Sequence, residues 1–346
     1  MDSHNHRVQR FVFIVLVLIA SACESPDRPI VLTGNTMGTT YRIKIADTSS
    51  TADGAQIQRE IEDTLRDVNS RFSNWESSSE VTRFNSTPST EPIVVSLEFL
   101  DLLGTANDIH QASEGQFDVT LGPLIELWGF GTADGNAEPP TNAAVMDTMA
   151  LVGQSRVLEI DTAQRSIRKN NPKVSLNFSS IAKGRGIDDV AATLEDFGFQ
   201  NFLVEIGGDL YTKGENENGQ PWRIGVERPG AAGKSVEKLV SLSGAGMATS
   251  GDYRNFFQND GILYSHILDA KTGRPVTHTT ASVTVVAENA TLADAWATAL
   301  LAHGHERGAH LADKFDIAAL FIVRSPEPGK QQFIHFTTPS FDALGN

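Results

Sequence analysis

Two oxygen-bearing side chains four residues apart, Asp294 and Thr298, are the first pair in this chain that could do chemistry together. They lie in the segment 293–301, where Leu292, Trp296 and Leu300 recur at helical spacing. Side chains at positions i and i+4 share one face of a helix. A carboxylate and a hydroxyl there are hard oxygen donors of the kind that Mg²⁺ takes beside a phosphate. A capping aspartate and a threonine bonded to its own backbone are the commoner explanation of so short a pattern.

His266 is the second candidate and would act as a proton acceptor. It lies in the alternating segment 262–268, which predicts a half-buried strand, and residues 250–252 and 269–273 predict turns on either side. A histidine titrates near neutral pH, so it can take a proton from a hydroxyl. A surface histidine in a hairpin is the alternative interpretation of the same spacing.

Lys183 is the third candidate, in a segment rich in serine and glycine that leads into a helix. Residues 177–188 read Asn-Phe-Ser-Ser-Ile-Ala-Lys-Gly-Arg-Gly-Ile-Asp. Free N–H groups at a helix start attract phosphate oxygens, and a lysine adds positive charge. Neither a GxxxxGK[ST] loop nor a GxGxxG fingerprint is present, so an ordinary nucleotide-binding loop is not indicated.

A cluster of histidines, His303, His305 and His310, is better explained as a solvated helix terminus than as a zinc site. His305 and His310 are five residues apart, whereas a zincin helix needs a spacing of four. The chain also lacks a GxSxG nucleophile elbow. Metalloprotease and serine-hydrolase chemistry are therefore not supported.

The surrounding pattern predicts an α+β fold with mixed, mostly antiparallel sheets and packed helices. Helices are predicted around 57–68, at 97–112, after 182, at 293–301 and near 306–314, and a loop or insertion at 132–140. Strands are predicted at 40–46, 156–160, 166–168, 174–176, 202–206, 210–213, 222–227, 238–242, 281–287, 318–323 and 332–336.

The N-terminus predicts targeting rather than folding. Arg7 and Arg10 precede the apolar run 11–20, and Cys23, the chain's one cysteine, follows two small residues. We therefore expect a lipoprotein signal peptide at 1–22, a linker at 23–30 after a lipidated Cys23, and one folded domain at 31–346. A lipid on Cys23 would tether that domain outside the cytoplasm, and we expect the periplasmic face of the inner membrane. Ordinary secretion with an incidental cysteine is the alternative.

Composition excludes several classes of function. The chain has 346 residues, 28 basic and 43 acidic, for a net charge of −15. Such a surface repels nucleic acid, so we expect no nucleic-acid partner. An anionic phosphate ligand would need a local cation or backbone dipoles.

Seven short motifs occur in one order along the chain. They are Met37-Gly-Thr39, Gly115-Gln-Phe-Asp118, Ser180-Ile-Ala-Lys-Gly184, Ile206-Gly-Gly-Asp209, Thr249-Ser-Gly-Asp-Tyr253, His266-Ile-Leu-Asp269 and Asp294-Ala-Trp-Ala-Thr298. In this order they resemble the FAD:protein FMN transferases, the ApbE-type lipoproteins once assigned to thiamine biosynthesis. The likeness covers nearly the whole chain after the N-terminal segment and implies a T-fold-related architecture.

The resemblance implies an activity and its participants. FAD is cleaved at its diphosphate with Mg²⁺, FMN passes to a threonine hydroxyl of another protein, and AMP leaves. Acceptors in the family, flavinylated subunits of redox complexes, carry the motif Asp-x-x-Ser/Thr-Gly-Ala-Ser/Thr. Ser243-Gly-Ala245 of this chain lacks the rest of that motif, so the chain does not resemble an acceptor.

The resemblance also assigns roles to residues. His266 would be the catalytic base, and the metal would be held by Asp294, Thr298 and the carbonyl of Ser180. The FAD site would be formed by Met37, Trp75, Gln116, Phe117, Asp118, Asn177, Lys183 and Leu268.

Four positions depart from the family pattern. Asn177 stands where an aspartate is frequent, Arg185 replaces an aromatic residue, Ala270 replaces a proline, and Ala297 stands where some members carry a further carboxylate. None of them removes His266. Two other functions remain open from sequence: an FAD pyrophosphatase that yields FMN and AMP, and a non-catalytic FAD-binding lipoprotein.

Overall fold

The structure is a computed structural model that describes residues 29–47, 53–131, 138–230, 235–253, 255–325 and 332–345. The predicted signal peptide, Cys23 and nearly all of the predicted linker lie outside the described residues, as does most of the predicted loop at 132–140. In the described part of the chain, no helix has the length and apolar character needed to cross a membrane.

Nine α-helices occur in the described ranges: α1 (Gly54–Phe72), α2 (Glu80–Ser86), α3 (Leu97–Ala112), α4 (Gly122–Leu127), α5 (Asn142–Met149), α6 (Gln154–Val157), α7 (Ala182–Asp196), α8 (Ala290–Lys314) and α9 (Pro339–Asp342).

The strands of the same ranges are β1 (Ile30–Thr36), β2 (Thr39–Ile45), β3 (Ile93–Val94), β4 (Leu158–Asp161), β5 (Ser166–Lys169), β6 (Phe202–Ile206), β7 (Asp209–Lys213), β8 (Trp222–Glu227), β9 (Val236–Leu242), β10 (Ala245–Gly251), β11 (Phe256–Asn259), β12 (Ile262–Ser265), β13 (Leu268–Asp269), β14 (Arg274–Pro275), β15 (Thr280–Ala287), β16 (Ala318–Arg324) and β17 (Phe333–Thr337).

An eight-stranded sheet in the order β1-β2-β6-β7-β10-β15-β16-β17 is the scaffold, and every neighbouring pair in it is antiparallel. The predicted α+β class with mostly antiparallel strands is confirmed. The first turn of the sheet is a two-residue hairpin in which Met37 and Gly38 both have positive φ, 49° and 72°. That geometry is typical of a type I′ turn, whose twist matches the flanking strands.

The two faces of the sheet bury alternate residues of its strands. In β16, Ala319 and Phe321 belong to the core cluster shared with α8, whereas Leu320 and Ile322 belong to the opposite cluster. Helices α1 and α7 cover the β1-β2-β6 end of the helical face, and the β8–β9 ribbon with α9 packs on the other face. Strand β15 is buried along nearly its whole length, as its apolar run predicts.

Helices α7 and α8 are fixed against each other by two features near their N-termini. Asp188 accepts hydrogen bonds from the backbone N–H groups of Ala290 and Thr291, both at 2.8 Å, and so caps α8 from a neighbouring helix. A Cβ on Gly184 would collide with the backbone carbonyl of Ala290, so only glycine permits this approach. The two helices bring their first turns to one place.

The predicted strand at 174–176 is wrong. Its backbone is held instead by side chains: Asn85 donates to the carbonyl of Leu176 and accepts from its N–H, at 2.8 and 2.7 Å, and Asn74 donates to the same carbonyl at 2.7 Å. Backbone groups satisfied in this way need no partner strand. The strand predicted at 156–160 is half wrong, because residues up to Val157 form α6 and β4 begins at Leu158.

One further prediction needs correction near the candidate site. Strand β12 ends at Ser265, so His266 lies in a break before β13 rather than on a strand. The two helices predicted in the C-terminal third are confirmed as the two halves of α8, which meet at Gly304, where φ is 75° and ψ is 168° and the backbone is not helical. His303 and His305 therefore flank the break between the two helical halves.

Candidate active site

Two adjoining cavities of about 220 and 320 Å³ form one cleft between the N-termini of α7 and α8, strand β10 and the break after β12. Asn177, Lys183 and His266 line both cavities. Every residue predicted for the site lines at least one of them. The smaller cavity has Gln116, Phe117, Asp118, Ser180, Leu268, Asp294 and Thr298, and the larger has Met37 and Trp75.

Asp294 lies on the first turns of α8 and reaches across to α7. Its Oδ2 accepts a hydrogen bond of 3.1 Å from the backbone N–H of Gly184, and its Oδ1 is 3.8 Å from Nζ of Lys183. The side chain is almost fully buried. A buried carboxylate is stable only with partners, and here a helix N-terminal N–H and an ammonium provide them.

Lys183 is the only lysine or arginine among the described residues that line the cleft. Its ammonium forms an ion pair with Oδ2 of Asp209, whose Oδ1 accepts a hydrogen bond of 3.0 Å from the N–H of Thr249. The side chain of Lys183 keeps about a third of its surface exposed toward the cleft. A partly exposed cation is therefore held in place at the wall of the cleft in an otherwise acidic protein.

Asp209 is a residue that the sequence analysis missed as part of the site. It is buried beneath Lys183 and does not itself line either cavity. The available signal was its position after Gly207 and Gly208, which both have positive φ, 60° and 99°. Such a pair of glycines makes a sharp turn, and the turn aims the first side chain of β7 back at α7.

Thr298 follows Asp294 by one helical turn and lines the same cavity. Its hydroxyl is 3.0 Å from the hydroxyl of Ser250 on β10. Ser180, the third predicted metal ligand, lies in the loop just before α7 and lines this cavity too. The carboxylate of Asp294, the hydroxyl of Thr298 and the carbonyl of Ser180 are hard oxygen donors. The Lys183 ammonium, 3.8 Å from Asp294, shows that the surroundings of this carboxylate accommodate positive charge.

These residues fit Mg²⁺ with part of its water shell retained, since that ion is often held by one or two carboxylates plus substrate phosphates. In the ranges that the structure describes, no group of three or more His, Cys, Asp or Glu side chains could hold a metal. The fit therefore depends on the hydroxyl and the carbonyl as well as on Asp294. Ala297 belongs to the hydrophobic core and lines neither cavity.

His266 is oriented by the backbone of Asn255. The carbonyl oxygen of Asn255 lies 2.8 Å from Nδ1 of His266 and also accepts the histidine's backbone N–H at 3.1 Å. A carbonyl can only accept, so Nδ1 carries the proton and the neutral ring keeps a lone pair on Nε2.

Burial lowers the pKa of His266 below its ordinary value, although the Asn255 carbonyl and the charge of Asp252 act in the opposite direction. The imidazole is therefore neutral at pH 7. Asp252 itself is paired in two places with Arg324, at 2.6 and 2.7 Å, so its charge is largely compensated.

The larger cavity has an apolar character suited to a flat ring. Met37 reaches this cavity from the β1–β2 turn and packs against Gly186 of α7. A Cβ on Gly186 would lie only 2.7 Å from Cε of Met37. Phe130 contacts the ring of His266 edge-on at 6.4 Å between centroids. Trp75, at 70% exposure, forms the outer rim. Aromatic and thioether groups around an open slot favour a stacked aromatic ligand.

The segment Gln116–Asp118 forms the floor of the smaller cavity, and its polar groups are mostly bonded within the protein. Asp118 accepts from the N–H groups of Thr120 and Gln154, at 2.7 and 2.9 Å. Gln116 donates to the carbonyl of Ala302 at 3.2 Å. These contacts hold the floor rigid beneath the metal-ligand candidates.

Asn177 and Arg185, two departures from the family pattern, both make defined contacts within the protein. The side-chain oxygen of Asn177 accepts the N–H of Ser179 at 2.9 Å, which shapes the loop before α7. Arg185 does not line the cleft and pairs with Asp101 at 2.6 Å and Asp189 at 2.8 Å. Its charge therefore joins α7 to α3 and is not available to a ligand.

Comparison with known proteins gives one consistent result. The ApbE family model matches residues 37–321. A FAD:protein FMN transferase of Vibrio cholerae is 38% identical over 92% of this chain and 95% of its own length, and that of Haemophilus influenzae is 38% identical over 92% and 93%.

Solved structures agree with the sequence relatives. The flavin transferase ApbE of Vibrio cholerae superposes with a TM-score of 0.83 over 92% of this chain and 99% of its own, at 38% identity. The apo flavinyl transferase ApbE of Pseudomonas stutzeri gives 0.83 over 92% and 97%, at 37% identity. Because the family model matches most of the chain and relatives of 37–38% identity share its fold, the chain belongs to the ApbE family.

Proposed function

We propose that this protein transfers FMN from FAD to a hydroxyl of an acceptor protein and releases AMP. Its similarity to FAD:protein FMN transferases over most of the chain supports the reaction class. The observation that carries the proposal is the cleft itself. A histidine whose Nε2 has no hydrogen-bond partner among the described residues and a lysine paired with two buried aspartates line one cavity next to an apolar slot.

The reaction is a substitution at phosphorus. The acceptor oxygen forms a bond to the phosphorus of the FMN half of FAD, the bond from that phosphorus to the oxygen of AMP breaks, and the hydroxyl proton passes to Nε2 of His266. Because the pKa of His266 is lowered by burial, the ring is in its proton-accepting form at neutral pH. The Asn255 carbonyl holds the ring in the required tautomer.

Positioning and charge neutralisation are the main demands of phosphoryl transfer. Lys183 would neutralise phosphate oxygens from the α7 side, where Asp209 fixes its ammonium. A Mg²⁺ ion held by Asp294, Thr298 and the carbonyl of Ser180 would supply further positive charge beside those oxygens. The apolar slot with Met37 and Trp75 would hold an aromatic ring system of the dinucleotide.

The acceptor that we propose carries the motif Asp-x-x-Ser/Thr-Gly-Ala-Ser/Thr, as the family resemblance implies. The net charge of −15 disfavours nucleic acid as an alternative partner.

To test the proposal, a protein of residues 29–346 is incubated with FAD, Mg²⁺ and a purified acceptor domain that carries this motif. The mass of the acceptor domain is then measured by mass spectrometry. A gain of one FMN supports the proposal. Release of AMP without a labelled acceptor would establish a pyrophosphatase instead, and neither product would indicate a flavin carrier. Omitting Mg²⁺ in the presence of a chelator should stop the transfer.

His266→Ala is the matched variant for that experiment. It should keep FAD binding and lower the transfer rate by about 10²–10⁴-fold, the usual contribution of a positioned base. The wild-type rate should fall as the pH drops through a value below about 6.5, the ordinary histidine pKa, because protonated His266 cannot accept a proton. A variant that transfers at the wild-type rate would remove His266 from the mechanism.

We also propose that the domain is tethered at the periplasmic face of the inner membrane through a lipid on Cys23. The proposal rests on the basic and apolar segments before this single cysteine. Mass spectrometry of the membrane-extracted protein tests it, with Cys23→Ser as the control. An unmodified Cys23 in a full-length preparation would exclude the tether.

A further inference from the structure

The β11–β12 hairpin beside His266 has one packed face and one face on which two large apolar side chains are exposed. On the packed face, Phe257 and Tyr264 stack on each other, with ring centroids 4.9 Å apart and an interplanar angle of 12°. Phe257 also contacts Phe130 at 5.4 Å, and Tyr264 contacts Trp128 at 5.7 Å. These contacts anchor the hairpin to the wall of the cleft.

The opposite face carries Phe256 and Leu263. Phe256 pairs with Ser265 and Leu263 pairs with Gln258, so the four side chains alternate with the packed ones and point away from Trp128. Phe256 is 48% exposed and Leu263 is 52% exposed, whereas Ser265 on the same face is buried. None of the apolar clusters in the described ranges includes Phe256 or Leu263. Large apolar side chains grouped in this way mark an interaction surface.

The open end of the hairpin is part of the active site. Strand β11 begins directly after Asn255 and β12 ends directly before His266, and both of these residues line the larger cavity. With about 3.4 Å of rise per residue, Leu263 lies roughly 10 Å along the strand from His266. A polypeptide helix is about 10 Å across. A polypeptide that brings a hydroxyl to Nε2 of His266 thus comes within reach of the face that carries Phe256 and Leu263.

We propose that the outer face of β11–β12, with Phe256 and Leu263 as its apolar side chains, docks the acceptor protein beside its target hydroxyl. The inference rests on the proposed transfer to a protein and adds the surface that receives that protein. The residues of this face carry no charge, so the matching acceptor surface is apolar next to the modified residue. Docking by apolar contact also avoids the general repulsion that a net charge of −15 imposes on acidic partners.

The test measures transfer to the motif-bearing domain as its concentration is varied, with the double variant Phe256→Ser/Leu263→Ser. The KM for the acceptor should rise about tenfold, as expected for loss of central apolar anchors. The rate at saturating acceptor and the affinity for FAD should stay at wild-type values. The control is Val94→Ser on β3, which is 73% exposed and lines neither cavity, and it should change no parameter.

An unchanged KM for the acceptor would overturn the proposal. Two further measurements would then identify what the face binds instead. Loss of a wild-type dimer in light scattering of the double variant would show that a second copy covers the face. Loss of binding of the double variant to phosphatidylglycerol-containing vesicles would show that a membrane covers it. Failure of the wild type to label the acceptor would refute the proposed function instead, so the two failures are distinguishable.

A second measurement needs no variant of this protein. Hydrogen–deuterium exchange of residues 255–265 is followed on adding the acceptor domain with its target threonine replaced by alanine, so that no transfer takes place. Slower exchange along the hairpin supports docking there. Exchange that stays unchanged at a saturating acceptor concentration contradicts it.

Discussion

Lys169 and Lys183 lie in two regions that put the same side chain to opposite uses. Lys169, at the end of β5, is fully buried. Its ammonium donates to the carbonyl oxygens of Phe84, Thr87 and Pro172 at 3.2, 2.9 and 3.1 Å. An ammonium has three N–H donors, and three carbonyls use them all.

Lys183, in the first turn of α7, is held by charge instead of by carbonyl dipoles. It pairs with Asp209, lies 3.8 Å from Asp294, and keeps part of its surface in the cleft. The contrast separates a structural lysine, whose donors are all used inside the protein, from a lysine that keeps part of its surface in the cleft, where we propose that it meets a ligand.

The largest effect that would test this contrast is on catalysis. Lys183→Met should lower the transfer rate by about 10²–10³-fold, because it removes the preorganised charge that we propose neutralises the phosphate oxygens. Single-turnover labelling of the acceptor measures it at saturating FAD. Lys169→Met, compared per folded molecule, should transfer at the wild-type rate. Equal losses of transfer rate in the two variants would show that Lys183 has no catalytic role beyond that of a structural lysine.

The next effect is on stability. Lys169→Met removes the buried ammonium that donates to three carbonyl groups and should lower the free energy of unfolding by about 2–4 kcal/mol. Urea denaturation measures it. Lys173→Met, in the exposed part of the neighbouring loop, is the matched control and should stay within about 0.5 kcal/mol of wild type. A Lys169 variant as stable as this control would mean that the three contacts contribute nothing.

Gly184→Ala sharpens the comparison because it disturbs only the region of Lys183. The added methyl group collides with the Ala290 carbonyl, so α7 and α8 must separate at a cost of about 1–3 kcal/mol. The shift moves Lys183 relative to Asp294, and the affinity for FAD, measured by flavin fluorescence, should weaken. Gly104→Ala on α3 has open space around the new methyl and should stabilise by about 0.5–1 kcal/mol. Unaltered FAD binding in Gly184→Ala would show that the helix contact does not position the site.

The smallest effect is the pH dependence of stability. Burial lowers the pKa of Lys169 in the folded protein. At pH values between this lowered pKa and the unfolded value near 10.4, the unfolded chain therefore binds more protons than the folded protein does. Relative to Lys169→Met, the unfolding free energy of the wild type should rise with pH across that window, by at most about 1.4 kcal/mol per unit. Urea titrations of both proteins at several alkaline pH values measure the difference. A difference that is independent of pH would contradict a perturbed Lys169.

Much of the scaffold follows from local patterns in the chain. Ile57, Ile61, Leu65 and Val68 recur at helical spacing, and all four are buried in α1. The apolar run 281–287 predicted a buried strand, which is the interior strand β15. The hydrophobic pattern wrongly predicted a strand at 174–176, because the side chains of Asn74 and Asn85 take the place of a partner strand there. Those asparagines are distant in sequence, and no local pattern indicates them.

By itself, the sequence determined which residue types are available to the site. The spacing of Asp294 and Thr298 places them on one helical face, since a helix repeats every 3.6 residues. The tertiary structure alone decided that Lys183 and Asp209 meet Asp294, because that contact joins α7, β7 and α8. It also decided the orientation of His266 through the Asn255 carbonyl and placed an apolar hairpin face beside that ring. Long-range contacts depend on how the sheet and helices pack together, which no short stretch of sequence specifies.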